Sequence, residues 1–476
     1  MNLQEWRNIA EDISTETSEE YWKLSVGLPY NEKKIAALEK KGAEHARIFL
    51  SNWKAPKDIY ESCVGSLVSE KVFKFGLQIT EIRKSKIVSS KHKFKGKPVS
   101  WQTWRQFASS ANDKQRKEVF DEFIKLTSEI SPVIKQLFET ATKMFAEYKL
   151  NPLDMYLDDH KMSYEALKHF VESLRDAVKK PFQREYKRYC KELFGRAPEY
   201  YDDFYTLRNK LFENVKLPKT DAIAKILETA KNLGFDVSKI KLDKEDRPDK
   251  YASPFCSSIR VPTDVRVSFK PENPVNDLSS VYHEYGHALH GVSIDPKLPY
   301  ETRCMLSEGC CETFSTLFEL MVHDDHFLEK HLGYSREVAE DLVKRLNFSW
   351  LYAAAFYCAN SLFRLEYWHA KIPHEKCSAL YAKYIKACTG IDLPGEYWML
   401  HHILPESLMY VPSYLIAESR SAEITAKLRS EFGKCWWEHR GAGIYIKNLM
   451  KPGADSPVAD FSKIKPGFLV NAIIKE

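Results

Sequence analysis

The stretch Asn276-Asp277-Leu278-Ser279-Ser280-Val281-Tyr282-His283-Glu284-Tyr285-Gly286-His287-Ala288-Leu289-His290 sets the reading of the chain. Leu278, Val281, Tyr285 and Leu289 recur at three- and four-residue intervals, the apolar stripe of an amphipathic helix, with Asn276 placed to cap its start. His283 and His287 then share a face one turn apart and can bind one divalent ion, and Glu284 beside them can reach a water on that ion. A second helix is read from Ser307 to Met321, with Ser307 as its cap and Leu317, Phe318 and Met321 on its apolar side. A loop holding Pro296 and Pro299 lets it return alongside the first, so that Glu312 completes a set of two histidines and one glutamate and leaves a fourth position open to water. The expected cofactor is one zinc ion per chain.

With 476 residues, 44% of them apolar, the chain can bury a large core, and no run approaches the roughly 18 apolar residues of a membrane span. Its start alternates charged and apolar residues without the apolar centre of a secretory signal, which makes a soluble, cytoplasmic protein the expectation. The ten cysteines then read as reduced thiols, and Cys310 and Cys311 as packing residues although they adjoin Glu312. A net charge of +5 does not point to nucleic acid. The run from Arg83 to Lys97 has no acidic residue and is read as a solvated loop, the other reading being a patch for nucleic acid or an acidic peptide.

Residues 1–215 read as almost wholly helical, with one stripe through Val119, Phe120, Phe123, Ile124 and Leu126 and another beginning after Ser131-Pro132. No catalytic constellation is seen there, so this half is expected to wall the chemistry carried by residues 216–476. A helix from Asp221 to Leu233, closed by Gly234, precedes a charged connection at 244–250. Phe255 to Phe269 is the best strand candidate. Pro262 within it implies an edge strand or a turn between two short strands, and an edge beside the metal helix offers an extended peptide a place to add. Helices follow at Val338–Ala370 and Lys376–Ala387, ahead of an aromatic segment from His401 to Leu415.

Taken together, His283-Glu284-Tyr285-Gly286-His287-Ala288-Leu289-His290, Glu312 with Glu319 seven residues later, His402 twelve residues before Tyr414, and the tail Leu449-Met450-Lys451-Pro452-Gly453 resemble the thimet oligopeptidase and oligoendopeptidase F family of zinc metallopeptidases. The resemblance covers about the last 220 residues. It implies a mainly α, two-lobed body with a deep substrate channel, a small β-sheet beside the zinc helix, and cleavage of short unstructured peptides at internal bonds. It makes His283, His287 and Glu312 the zinc ligands, Glu284 the general base, and His402 and Tyr414 the groups that assist the oxyanion. Ser407 stands where the family often has a second tyrosine, and Tyr410 is the substitute the segment offers.

Glu319, two turns after Glu312, could fix a ligand histidine's tautomer or simply be a surface glutamate, and His290 is read as a hydrogen-bonded structural histidine, the other reading being that it faces the cleft. Two other functions compete with internal cleavage. A carboxypeptidase or dipeptidyl carboxypeptidase on a related helical scaffold, as in angiotensin-converting enzyme, needs a cation for the substrate's terminal carboxylate, and the many Lys and Arg do not single one out. A zinc-stabilised protein that traps peptides uncut has no need of Glu284. Oligomeric state is left open.

Overall fold

The computed structural model describes residues 2–474 apart from 53, 54, 214, 248, 252, 272, 273 and 401–406. The chain opens with three long helices, α1 (Leu3–Ser25), α2 (Glu32–Asn52) and α3 (Lys57–Ser85). The next two elements are strands, β1 (Ile87–Phe94) and β2 (Lys97–Ser100), paired antiparallel. This corrects the solvated loop expected at 83–97 and is the one departure, among the described residues, from the almost wholly helical first half. Lys91 and Lys93 point outward while Val88, His92 and Val99 are buried, and Lys95 and Gly96, both at positive φ (49° and 80°), supply the tight turn.

Six helices follow: α4 (Trp104–Ser110), α5 (Asp113–Lys125), α6 (Thr127–Glu147), α7 (Pro152–Asp159), α8 (Tyr164–Phe194) and α9 (Phe204–Phe212). Helix α6 begins before Ser131-Pro132, not after it. After α10 (Ala222–Asn232), capped by the Asp221 side chain, come β3 (Ile240–Asp243), β4 (Phe255–Arg260) and β5 (Asp264–Ser268) in the order β3-β5-β4. Pro262 therefore sits in a turn between two short strands, and β4 is an edge.

Helix α11 (Pro274–Ser293) packs over this sheet and against α13 (Glu308–Val322), with the short α12 (Tyr300–Cys304) between them in sequence. Its start lies two residues before the expected cap Asn276, because Pro274 is preorganised for a first helical turn. Two glycines set these contacts. A Cβ on Gly286 would lie 2.6 Å from both Phe314 O and Ser315 Cα of α13, and one on Gly291 would lie 3.2 Å from Ser258 Oγ and from a Val265 methyl of the sheet. The rest is α14 (Asp325–Lys330), α15 (Arg336–Ala370), α16 (His374–Thr389), α17 (Val411–Phe432), α18 (Arg440–Met450) and α19 (Gly467–Ile473).

Buried residues from Phe75 to Ile473 make one contiguous core, in which α8, α13, α15 and α17 are central. Among the described residues no helix is long and apolar enough to cross a membrane. The mainly helical fold with its small sheet beside α11 is the one expected.

Candidate metal centre

Helix α11 buries Leu278, Val281, Tyr282, Tyr285, Ala288 and Leu289, which leaves His283, Glu284 and His287 half-buried on its other side. Ser307 caps helix α13, its hydroxyl accepting from Cys310 N–H as expected, and the helix brings the buried Glu312 opposite the two histidines. His283 Nε2 lies 3.3 Å and His287 Nε2 3.7 Å from Glu312 Oε2, and one ligand atom from each of the three falls within 4.8 Å of the others. A tetrahedral ion with bonds of about 2.0–2.1 Å separates its ligand atoms by about 3.3 Å, and the two histidine-to-glutamate separations of 3.3 and 3.7 Å lie close to that spacing. Neither Cys310 nor Cys311 joins the cluster.

The carboxylate of Glu312 is fixed from both ends: Ser315 Oγ donates to Oε2 at 3.1 Å and Tyr410 O–H donates to Oε1 at 2.5 Å. Glu319 is no surface residue. Its Oε2 accepts from His283 Nδ1 at 2.9 Å and its Oε1 from Ser279, which turns His283 Nε2 toward Glu312 and holds that orientation. Glu418, on α17, is a buried carboxyl near enough to feel the charges of Glu319 and Glu312.

Burial is the largest influence on every titrating group here. It pushes Glu284 up to about 7, with the neighbouring Glu312 adding to the rise and His283 and the Cys256 backbone N–H opposing it. It drives His287 down to about 4 and His290 to about 3, which keeps both imidazoles neutral. Against the same penalty His283 is raised by its bonds to Glu312 and Glu319, and Glu312 is lowered to about 2 chiefly by His283. Glu418 is raised well above the carboxylate range by burial and then by Glu319 and Glu312.

The remaining sequence candidates divide. Tyr414 is half-buried, its ring 5.1 Å from Tyr357 and 5.3 Å from Tyr410, with its hydroxyl bonded to no described residue. His402 lies outside the described residues. His290 is buried against Phe314, but its Nε2 has no hydrogen-bond partner among the described residues, so the hydrogen-bonded histidine expected from sequence is corrected on that point. The centre opens into a cavity of about 470 Å³ between α11, β4, α12 and α1. Cys256, Ser258 and Arg260 of the edge strand line one wall; Glu11, Ser14 and Ser18 of α1 line the opposite one. Adjoining cavities of about 260 and 500 Å³ share Ser14, Ser18 and Leu306 with it, so the cleft runs on between α1, α2 and α3. Sequence reasoning missed α1, Ser315 and Glu418 as parts of this site, since no local motif ties them to it.

A helical body with two histidines and a glutamate on facing helices, and a carboxylate beside them in a cleft, defines the class: a metallopeptidase of the H-E-x-x-H kind. The family described as Carboxypeptidase Taq (M32) metallopeptidase matches residues 102–367, and this chain belongs to it. No curated protein matches in sequence. Among solved structures, the "BsuCP Crystal Structure" aligns over 99% of this chain and 97% of its own at 15% identity with a TM-score of 0.59. The M32 carboxypeptidase from Deinococcus radiodurans R1 aligns over 98% and 96% at 15% identity with a TM-score of 0.58. The family is therefore not that of thimet oligopeptidase and oligoendopeptidase F. The shared residues are those any such metal site demands, and His402, Tyr414 and the tail lie beyond the matched stretch.

Proposed function

We propose that this protein is a zinc carboxypeptidase that removes residues from the C-terminal end of short unstructured peptides, with His283, His287 and Glu312 as metal ligands and Glu284 as general base. What supports C-terminal attack over internal cleavage is the family match across 102–367. His283, His287 and Glu312 would hold a divalent ion, which would supply Lewis acidity to the scissile carbonyl and lower the pKa of a bound water toward neutrality. Glu284, held by the Cys256 N–H, accepts the proton of the attacking water and passes it to the leaving amine. The Tyr414 hydroxyl, bonded to no described residue, is the donor for charge growing on the carbonyl oxygen, and His402 keeps that role on the strength of the sequence. Tyr410, bonded to Glu312, orients a ligand in place of touching substrate. The helices of residues 1–215 wall the cleft and exclude folded chains.

The deciding experiment incubates the protein with ten-residue peptides bearing free or amidated C-termini and follows products by mass spectrometry, with and without 1,10-phenanthroline. Stepwise shortening of the free acids, abolished by the chelator, is expected. Internal fragments from both sets would return the reading to an oligoendopeptidase.

A further inference from the structure

Away from the metal, the cleft carries negative charge that its own walls do not balance. Helix α3 turns one face to the cavity of about 500 Å³, where Asp58, Glu61, Gly65 and Ser69 follow one another at three- and four-residue steps. Glu39 of α2 and Asp159 of α7 line the same space, and no described lysine, arginine or histidine does. Glu39 accepts from Ser69 Oγ at 2.9 Å. Glu61 has no such bond. It is only 7% exposed, accepts no hydrogen bond from a described residue, and lies 3.8 Å from Lys57, which donates instead to Asp158 outside the cavity.

A carboxylate taken from water without a hydrogen bond is costly, and its neighbours here add to the cost. Desolvation raises Glu61, opposed by Lys57 and reinforced by Asp158 and Asp58. Desolvation, then Glu308 and Glu61, push Asp159 up to about 7. A crowded set of carboxylates in a partly enclosed space is a field that attracts a cation. There is room for one: a Cβ on Gly65 would meet nothing within 4 Å, so the wall between Glu61 and Ser69 stands clear. Leu306 lines both this cavity and the one at the metal, so the two adjoin.

We propose that Glu61 and Asp159, with the hydroxyls of Ser62 and Ser66 on the same cavity wall as Glu61, bind a cationic group of the peptide being shortened, its free α-ammonium or a lysine side chain. An ammonium carries three donors, enough for both carboxylates and one hydroxyl. This rests on the carboxypeptidase reading and deepens it. Glu61 and Asp159 are specificity-determining residues: they select peptides by a positive charge placed away from the bond that is cut.

The test measures kcat/KM on pentapeptide free acids: one with a free amine and no lysine, one N-acetylated without lysine, and an N-acetylated set with one lysine moved through the first four positions. The wild-type protein is expected to favour a cationic peptide over the uncharged one by about 10-fold. The double variant Glu61→Gln, Asp159→Asn should lose that preference and leave the uncharged peptide's rate unchanged. Preference for the free amine identifies the α-ammonium, and preference confined to the lysine set identifies the side chain. A second readout does not need turnover: calorimetric titration of Glu284→Gln, which should bind peptide without cutting it, should give the same ratio in Kd, and adding the two substitutions should abolish it. Glu61→Gln alone should melt no lower than wild type, since it removes an uncompensated charge. Equal kcat/KM and Kd for cationic and uncharged peptides, or a preference that survives in the double variant, overturns the subsite while C-terminal shortening stands. Internal cleavage of amidated peptides with the cation preference intact overturns the carboxypeptidase reading and leaves the subsite.

Discussion

At the scale of residues, the two tyrosines of the 410–414 turn separate by what their hydroxyls touch. Tyr410 is spent on Glu312, whereas Tyr414 is packed on Tyr357 with its O–H bonded to no described residue. Tyr414→Phe should therefore lower kcat by about 10²- to 10³-fold with KM and metal content little changed, the cost of deleting one oxyanion donor. Near-normal kcat in metal-loaded Tyr414→Phe would reduce it to a packing residue. For Glu319→Gln the expected loss is in metal affinity, by about 10- to 100-fold, because the amide cannot hold His283 Nδ1–H as a carboxylate does. Equilibrium dialysis against zinc buffers measures it, and unchanged affinity would make the bond incidental. His283, Glu284, His287 and Glu312 were readable in sequence since their spacing is a property of one helix plus one return. Ser279, Ser315 and Glu418 were not, because a serine or a glutamate gains its meaning only from the partner the fold brings to it.

At the scale of elements, α13 is positioned by contacts that have little slack. Gly286→Ala forces a methyl against the backbone of Phe314 and Ser315, so we expect a loss of at least about 1–3 kcal/mol in stability together with weakened metal binding as the helices part. Equal stability of Gly286→Ala and wild type in urea would show that α11 and α13 can separate freely. The first turn of α13 is also held from α7's end, where fully buried His160 donates Nδ1–H to Tyr156 O and accepts Gly309 N–H on Nε2 at 3.0 Å. Burial lowers His160 to about 4, the bond to Tyr156 opposing only in part. Between that value and the ordinary value of about 6.5 the unfolded chain binds more protons than the folded one. The contribution is complete above about pH 6.5 and is lost as pH falls toward 4, a change of about 3 kcal/mol. Urea unfolding of His160→Gln should show a correspondingly shallower acid slope than wild type, and parallel slopes would assign the acid sensitivity elsewhere. Periodicity revealed α11, α13 and the β4–β5 pair. It also ran through the β1–β2 hairpin, where Lys91 and Lys93 alternate with inward His92 and Phe94, but lysine density masked it.

At the scale of the whole molecule, the mainly helical body and its small sheet were legible, while the particular family was not, because the motif on α11 and α13 recurs wherever a helical scaffold holds such an ion. Enclosure of the cleft by α1, α2 and α3 leads us to expect that a ten-residue peptide is shortened at least about 10²-fold faster than native albumin, the difference vanishing when the albumin is reduced and unfolded. Comparable rates on native albumin would mean that the cleft opens widely.

Helix α1 roofs a site assembled by residues far along the chain: Glu11 meets Arg303 across 292 positions, and Arg7 meets Glu301 across 294. His283 and Glu312, by contrast, are only 29 positions apart. Closing the longer loop costs about 2 kcal/mol more chain entropy than closing the shorter, which sets an order of events during refolding. The ion's binding place should come into being first, in a chain whose cleft still lacks its cover. Stopped-flow refolding in cobalt should accordingly show the d–d absorbance of the bound ion rising before Trp6 and Trp22 of α1 lose their exposure to a quencher.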